Sequence, residues 1–215
     1  MLCIVRDIRE ISNNMPNMLT LDVIEKALRL LSQRLDLIQS DPLQLVVCGG
    51  TALIATNLRQ GTTKDVDIVA LINAHNELLS PAPLPAVLLE QADQVARDLG
   101  LFDNWLNNGP SSGDGGLYQM GLPDGFVARL TPRKFGSRLT VHFIGRLDQI
   151  HFKLYAVADQ QGGVHVADLR ALKPADAELE SAARWAMTHD VSDNFKMVLK
   201  ETLRELGHES VAQRI

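Results

Sequence analysis

The stretch Leu45-Val46-Val47-Cys48-Gly49-Gly50-Thr51-Ala52-Leu53, followed after a short amphipathic segment by Lys64-Asp65-Val66-Asp67-Ile68-Val69, decides how this chain is read. The apolar run Leu45 to Val47 suits a buried strand, and the Gly-Gly pair behind it allows a tight turn with no Cβ between backbone and ligand. Thr51 is then expected to cap a helix running from Ala52 to Arg59. The N-terminus of such a helix presents unpaired N–H groups and a positive dipole end, both of which favour a phosphate. Asp65 and Asp67 stand two apart in a run of Val and Ile. On a strand their carboxylates share one face, about 6.5–7 Å apart along the chain. Such a pair suits one or two magnesium ions, which take oxygen ligands and leave room for substrate phosphates. In this order the two halves predict a phosphate cradle feeding a metal-binding pair; the plainer alternative is a Gly-Gly turn followed by an acidic surface strand.

This constellation resembles the signature of the DNA polymerase β-like nucleotidyltransferase superfamily, in which a hydrophobic residue and Gly-Gly or Gly-Ser precede an Asp-hydrophobic-Asp strand. A second block, Asp148-Gln149-Ile150-His151-Phe152-Lys153-Leu154-Tyr155-Ala156 with Val166-Ala167-Asp168-Leu169-Arg170-Ala171-Leu172, is similar to the Lys-Leu-x-Ala and Asp-Leu segments of the AbiEii-type toxin nucleotidyltransferases. Phe102-Asp103-Asn104-Trp105-Leu106-Asn107-Asn108 also resembles a segment of related nucleotidyltransferase-like proteins. The resemblance spans about residues 21 to 172.

The resemblance implies a magnesium-dependent or manganese-dependent enzyme that moves an NMP from an NTP to an acceptor hydroxyl, such as the 3′ end of tRNA or another RNA. It also implies a toxin–antitoxin or phage-defence setting with a cognate antitoxin as partner. Gly49, Gly50 and Thr51 would meet phosphate, Asp65 and Asp67 would hold metal, and Lys153 would neutralise triphosphate charge from a helix. Asp168 would position Lys153 or assist the acceptor hydroxyl; read from the residues alone, it equally suits the cap of a helix beginning around Leu169. Transfer to a protein hydroxyl is a second possibility, and a catalytically degenerate binding or regulatory protein a third. The third is motivated by the carboxylate that superfamily enzymes often carry on a strand beside the Asp-x-Asp strand. Here the candidate strand, Leu139-Thr140-Val141-His142-Phe143-Ile144, carries His142 instead. That imidazole could ligate a metal, shuttle a proton or be a structural strand residue.

Composition agrees with an ordinary ordered protein. The chain has 215 residues, 46% of them hydrophobic and 22% charged, which is enough to bury a sizeable core. A net charge of −5 argues against a broad nucleic-acid-binding surface, though not against gripping one RNA end. Cys3 and Cys48 are too few and too far apart for a disulfide framework or a zinc site, so a reducing cytoplasm is the expected compartment. Met1 to Val5 is too short for a signal peptide and meets Arg6-Asp7 at once; no run approaches a membrane span.

Elsewhere, periodicity predicts a helix over 21–39 capped by Thr20, and another over 86–99 ending at Gly100. Residues 107–116, rich in Gly, Ser and Asn, read as a surface loop. Residues 125–145 read as two strands joined by a basic turn bent at Pro132. There Arg129, Arg133, Lys134 and Arg138 either meet triphosphate or RNA phosphates or are simply solvated. Helices follow over 175–188 and, behind Ser192, over 194–206, where Lys196, Lys200 and Arg204 form a stripe that is either an RNA face or, given Glu201 and Glu205 beside it, a solvated one. The expected fold is α/β, a nucleotidyltransferase-like mixed sheet flanked by helices over 1–147, with a C-terminal helical subdomain over 148–215 completing the cleft.

Overall fold

The computed structural model describes residues 18–113, 115–160 and 163–215. The expectations for Met1 to Val5 and for Cys3 lie outside the described residues. Leu45, Val46 and Val47 have no exposed surface, and the strand they form, β1 (Leu43–Cys48), is the inner strand around which the sheet is arranged. β2 (Val66–Ile72) runs antiparallel along one side of β1, and β6 (Leu139–Phe143) runs parallel along the other. β3 (Leu78–Leu79) and β4 (Leu106–Asn107) both pair with the far side of β2, antiparallel near its end and parallel at its start. β5 (Thr131–Lys134) closes the opposite edge against β6, giving, among the described residues, six strands in one open mixed sheet flanked by helices. Pro132 lies within edge strand β5 opposite His142, rather than at the bend, and an edge is where a strand tolerates a missing N–H.

The two long N-terminal helices form where hydrophobic periodicity places them. α1 (Leu21–Leu37) is capped by the Thr20 hydroxyl, which accepts from the Val23 N–H, and it buries Ile24, Leu28, Leu31 and Leu35 along one stripe. α2 (Gly49–Ala55) follows β1 directly. α3 (Ala86–Leu99) buries Leu88, Ala92 and Val95 and ends at Gly100, whose φ of 62° is the left-handed cap conformation. Each fully buried Leu contributes roughly 1.5–3 kcal/mol by leaving water, and an Arg34–Asp98 ion pair joins α1 to α3.

Two local devices hold β2. Val46 pairs with Ala70 but Val47 with Ile68, so Val69 is the extra residue of a bulge. Its carbonyl accepts from the fully buried Ser111 hydroxyl at 2.8 Å, in the gap between β4 and β3. Trp105, also fully buried, donates its indole N–H to Ala92 O at 2.9 Å and accepts the Val66 N–H on its own carbonyl at 2.6 Å. The residues that follow Trp105 are thereby laid against the start of β2 as β4.

Beyond the short helix α4 (Leu117–Met120), the C-terminal part is helical: α5 (Arg146–Gln160), α6 (Gly163–Leu172), α7 (Asp176–His189), α8 (Asp193–Glu205) and α9 (Glu209–Arg214). Ser192 caps α8 by accepting the Phe195 N–H. These helices share a second hydrophobic core, and the two cores interlock, since Leu53 of α2 belongs to the helical core and Phe152 of α5 to the sheet core. The basic residues of the β5–β6 region do not form a free cationic patch. Arg129 pairs with Asp148, Arg133 with Glu25 and Arg138 with Asp36, because α1 and α5 bring carboxylates to each. Arg204 is likewise matched by Glu201 and Glu209. Among the described residues no helix is long and apolar enough to cross a membrane.

The Ser111–Val69 bond yields a stability test. Ser111→Ala strands a buried carbonyl and should lower stability by about 1–3 kcal/mol, read as a lower denaturant midpoint at unchanged slope. Ser112→Ala, at an exposed neighbour, should change it by less than about 0.5 kcal/mol. Equal effects of the two changes would mean that the bulge carbonyl needs no partner.

Candidate functional site

The start of α2 is shaped by its two glycines. Gly49 has φ +67°, and a Cβ there would stand 2.7 Å from Asp67 Oδ2; a Cβ at Gly50 would collide with the Thr63 hydroxyl. Thr63 is itself fixed by a two-bond bridge to Leu19. The helix therefore begins at Gly49 rather than at Ala52, and Thr51 does not cap it. Thr51 is fully buried and donates its hydroxyl to Asp65 O at 2.6 Å, so only its backbone is left for a phosphate. The sequence reading misplaced it because the acceptor that claims the hydroxyl is 14 residues away.

Strand register concentrates the acidic pair. Asp67 stands opposite Cys48 on β1 and opposite Asn107 on β4, while Asp65 lies just before β2 begins. Asn107 accepts the Gly109 N–H on Oδ1 at 2.7 Å, which turns its NH2 toward the carboxylates, and Nδ2 lies 3.4 Å from Asp65 Oδ2. Burial raises the pKa of Asp65, while Asn107, Lys64 and Lys153 pull it back. Burial, and then the neighbouring Asp65 charge, push Asp67 up to about 7 against the opposing pull of Lys153 and Asn107. Two hard oxygen donors, one of them costly to ionise alone, fit a divalent cation such as magnesium or manganese.

Lys153 approaches from α5. It is 6% exposed, and its Nζ lies 2.8 Å from Asp168 Oδ2 and 3.5 Å from His165 Nδ1. An ammonium has three N–H donors, so two are directed at these partners and the third remains for a ligand. Asp168 sits in the middle of α6, which begins at Gly163, so it is not a helix cap. Its second oxygen lies 3.0 Å from Arg59 Nε, an ion-pair distance without hydrogen-bond alignment, and Arg59 in turn donates Nη2 to Thr62 O. Asp168 thus joins the α2–β2 connection to the helix that carries Lys153.

Cys48, Gly49, Asp65, Asp67, Asn107 and Lys153 line one cavity of about 450 Å³. Gly50, Thr51 and Asp168 stand behind its wall. Gly109, Pro110, Ser112, Gly115 and Gly116 supply one side, and His165 belongs to the helical side. His142 is not there. β1 separates β6 from β2, and the His142 ring bonds Gln44 Oε1 at 2.9 Å, so the strand expected beside the Asp-x-Asp strand is a different one. That neighbour is β4, whose Asn107 the sequence reading passed over, along with Arg59 and His165. Among the described residues no group of three or more His, Cys, Asp or Glu is placed to share a metal.

The raised Asp67 pKa fixes the sign of a pH effect. Between the ordinary carboxylate value near 3.8 and about 7, the folded protein holds a proton that the unfolded chain has released. Metal-free protein should therefore lose stability as pH rises through that window. Asp67→Asn should flatten the slope and stabilise the metal-free protein at pH 8 by about 2–4 kcal/mol. Chemical denaturation across pH 4–8 measures it; an unchanged slope in Asp67→Asn would locate the titration elsewhere.

Comparison of the chain with protein-family models, with curated proteins and with solved structures returns no match.

Proposed function

We propose that this protein has a nucleotidyltransferase-like fold and is a metal-dependent nucleotidyltransferase that moves an NMP from an NTP to an acceptor hydroxyl. The observation that carries this reading is the convergence of Asp65, Asp67 and Lys153, from two separate parts of the fold, on one cavity whose floor is Gly49. A triphosphate needs cationic neutralisation, which Lys153 would supply together with a metal held by Asp65 and Asp67, and room for close approach of the backbone, which Gly49 leaves. Asp65 and Asp67 would hold magnesium or manganese, which when bound supplies charge neutralisation of the triphosphate and activation of an attacking hydroxyl.

The chain's own groups divide the remaining work. The third N–H of Lys153 binds a phosphate oxygen, and Asp168 and His165 keep the ammonium aimed. Asn107 orients Asp65, and Gly49 leaves the volume beside Asp67 clear. The acceptor oxygen forms a bond to the α-phosphorus as the bond to pyrophosphate breaks. Rate enhancement comes from positioning and electrostatics rather than from a covalent intermediate. The acceptor is an RNA 3′ hydroxyl or a protein hydroxyl, and a toxin role with a cognate antitoxin is part of the same proposal, resting on resemblance in the Lys153 and Asp168 segments.

One observation favours a second reading, a protein that binds nucleotide without turning it over: the position facing Asp67 on the adjoining strand is the amide Asn107 rather than a third carboxylate. Incubation with each labelled NTP, magnesium and total RNA or cell extract separates the two. The transferase reading expects label in RNA or protein, lost in Asp67→Asn. The binding reading expects a thermal shift with NTP and magnesium but no label. Lys153→Ala should weaken NTP binding about tenfold or more, as loss of a charge-assisted contact does. If no NTP shifts the melting of the wild-type protein at millimolar concentration, both readings fail.

A further inference from the structure

A second cavity, of about 480 Å³, lies on the other side of α4 from the acidic pair, between α7, the N-terminal half of α5 and the 120–129 segment. One wall is Trp185, braced by Phe152 stacked at 5.6 Å and by His189 at 4.1 Å. His151, 3% exposed, donates Nδ1–H to Leu147 O at 2.7 Å, so its bare Nε2 accepts from the Ser181 hydroxyl at 3.3 Å. That fixes the direction of the Ser181 proton and leaves the oxygen lone pairs for an incoming N–H. Thr188 is arranged in the same way, donating its hydroxyl to Trp185 O at 2.7 Å.

Two arginines stand on two sides, each paired with a carboxylate. Arg129 grips Asp148 through Nε and Nη2, which leaves the two Nη1 hydrogens and the second Nη2 hydrogen as its remaining donors. Arg184, with its side chain 57% exposed, uses Nη2 on Glu180, and Glu180 also holds Arg214, while the Asp124 carboxylate belongs to the same cavity lining. An indole wall, two hydroxyl acceptors and the exposed Arg184 guanidinium match a flat ring bearing N–H donors with an anion attached to it, and the Asp124 carboxylate in the same lining offers such donors a further acceptor. The combination of aromatic wall and flanking Arg is the one by which proteins hold single nucleotides and unpaired bases.

We propose that this cavity is a second ligand site, which takes a nucleoside monophosphate unit with its base along Trp185 and its phosphate at Arg184. The unit is either a free mononucleotide or the terminal nucleotide of a strand. The site stands independently of the triphosphate reading of the first cavity.

Trp105 and Trp185 are the two tryptophans, and Trp105 is sealed in the sheet core at 1% exposure. In 5-fluorotryptophan protein, ¹⁹F NMR therefore gives a reporter and a control. Millimolar AMP, CMP, GMP or UMP, or a short oligoribonucleotide, should move the Trp185 resonance and leave Trp105 in place. Ser181→Tyr, made at an exposed position, should fill the cavity and abolish the shift while keeping the thermal response to NTP and magnesium. Arg184→Ala should weaken mononucleotide binding about tenfold and leave the unphosphorylated nucleoside unaffected. Tighter binding of the oligonucleotide than of AMP assigns the site to strand ends, and equal binding assigns it to free nucleotides; either supports it. No movement of Trp185 with any nucleotide, movement that survives Ser181→Tyr, or a response only to an aromatic peptide amide would overturn it.

Discussion

The register between β1 and β2 is the constraint on which the site depends. It sets the Asp67 carboxylate against the volume that a Gly49 Cβ would fill, 2.7 Å from its Oδ2. A strand slipped by one residue would turn Asp67 to the opposite face. Slippage is opposed by the fully buried Leu45, Val46 and Val47, by the bulge at Val69 with its Ser111 partner, and by the Trp105 carbonyl that takes the Val66 N–H. The hydrophobic core thus does more than stabilise the sheet. It positions two like charges that electrostatics alone would drive apart.

That arrangement leaves the acidic pair short of positive charge. Lys153 reaches toward it, but the ammonium is shared with Asp168, itself buried and shared again with Arg59. A buried ion pair of this kind contributes little net stability, because desolvation offsets the Coulomb attraction. Its role here is geometric: it joins the α2–β2 connection to α6 and holds Lys153 at the cavity wall. Asp67, pushed to about 7 by burial and by Asp65, is the member of the pair that is costlier to ionise.

Much of this was legible in the sequence, and the parts that were not share a cause. Apolar runs and helical periodicity located β1, β2, α1 and α3, because burial repeats along the chain. Spacing singled out Asp65 and Asp67 as a pair, although Asp65 lies just before β2 and not on it, and the segment around Lys153 read as a helix. Asn107, quoted only within the 102–108 resemblance, has no role assigned from the sequence because β4 is two residues long, too short for any alternation to show. Arg59 and His165 escaped because their partners lie across the tertiary fold. Thr51 was misread for the converse reason, its hydroxyl having a partner that only the folded chain supplies, Asp65 O; His142 fits the structural one of its three readings, bonded to Gln44 and on a strand that pairs with β1 rather than β2.

The most direct measurement is a crystal soaked with manganese and a non-hydrolysable NTP, with anomalous scattering recorded at the manganese edge. The account expects an anomalous peak shared by Asp65 and Asp67, and triphosphate density within hydrogen-bond reach of Lys153 Nζ. A nucleotide ordered elsewhere with no manganese at the two carboxylates would contradict it.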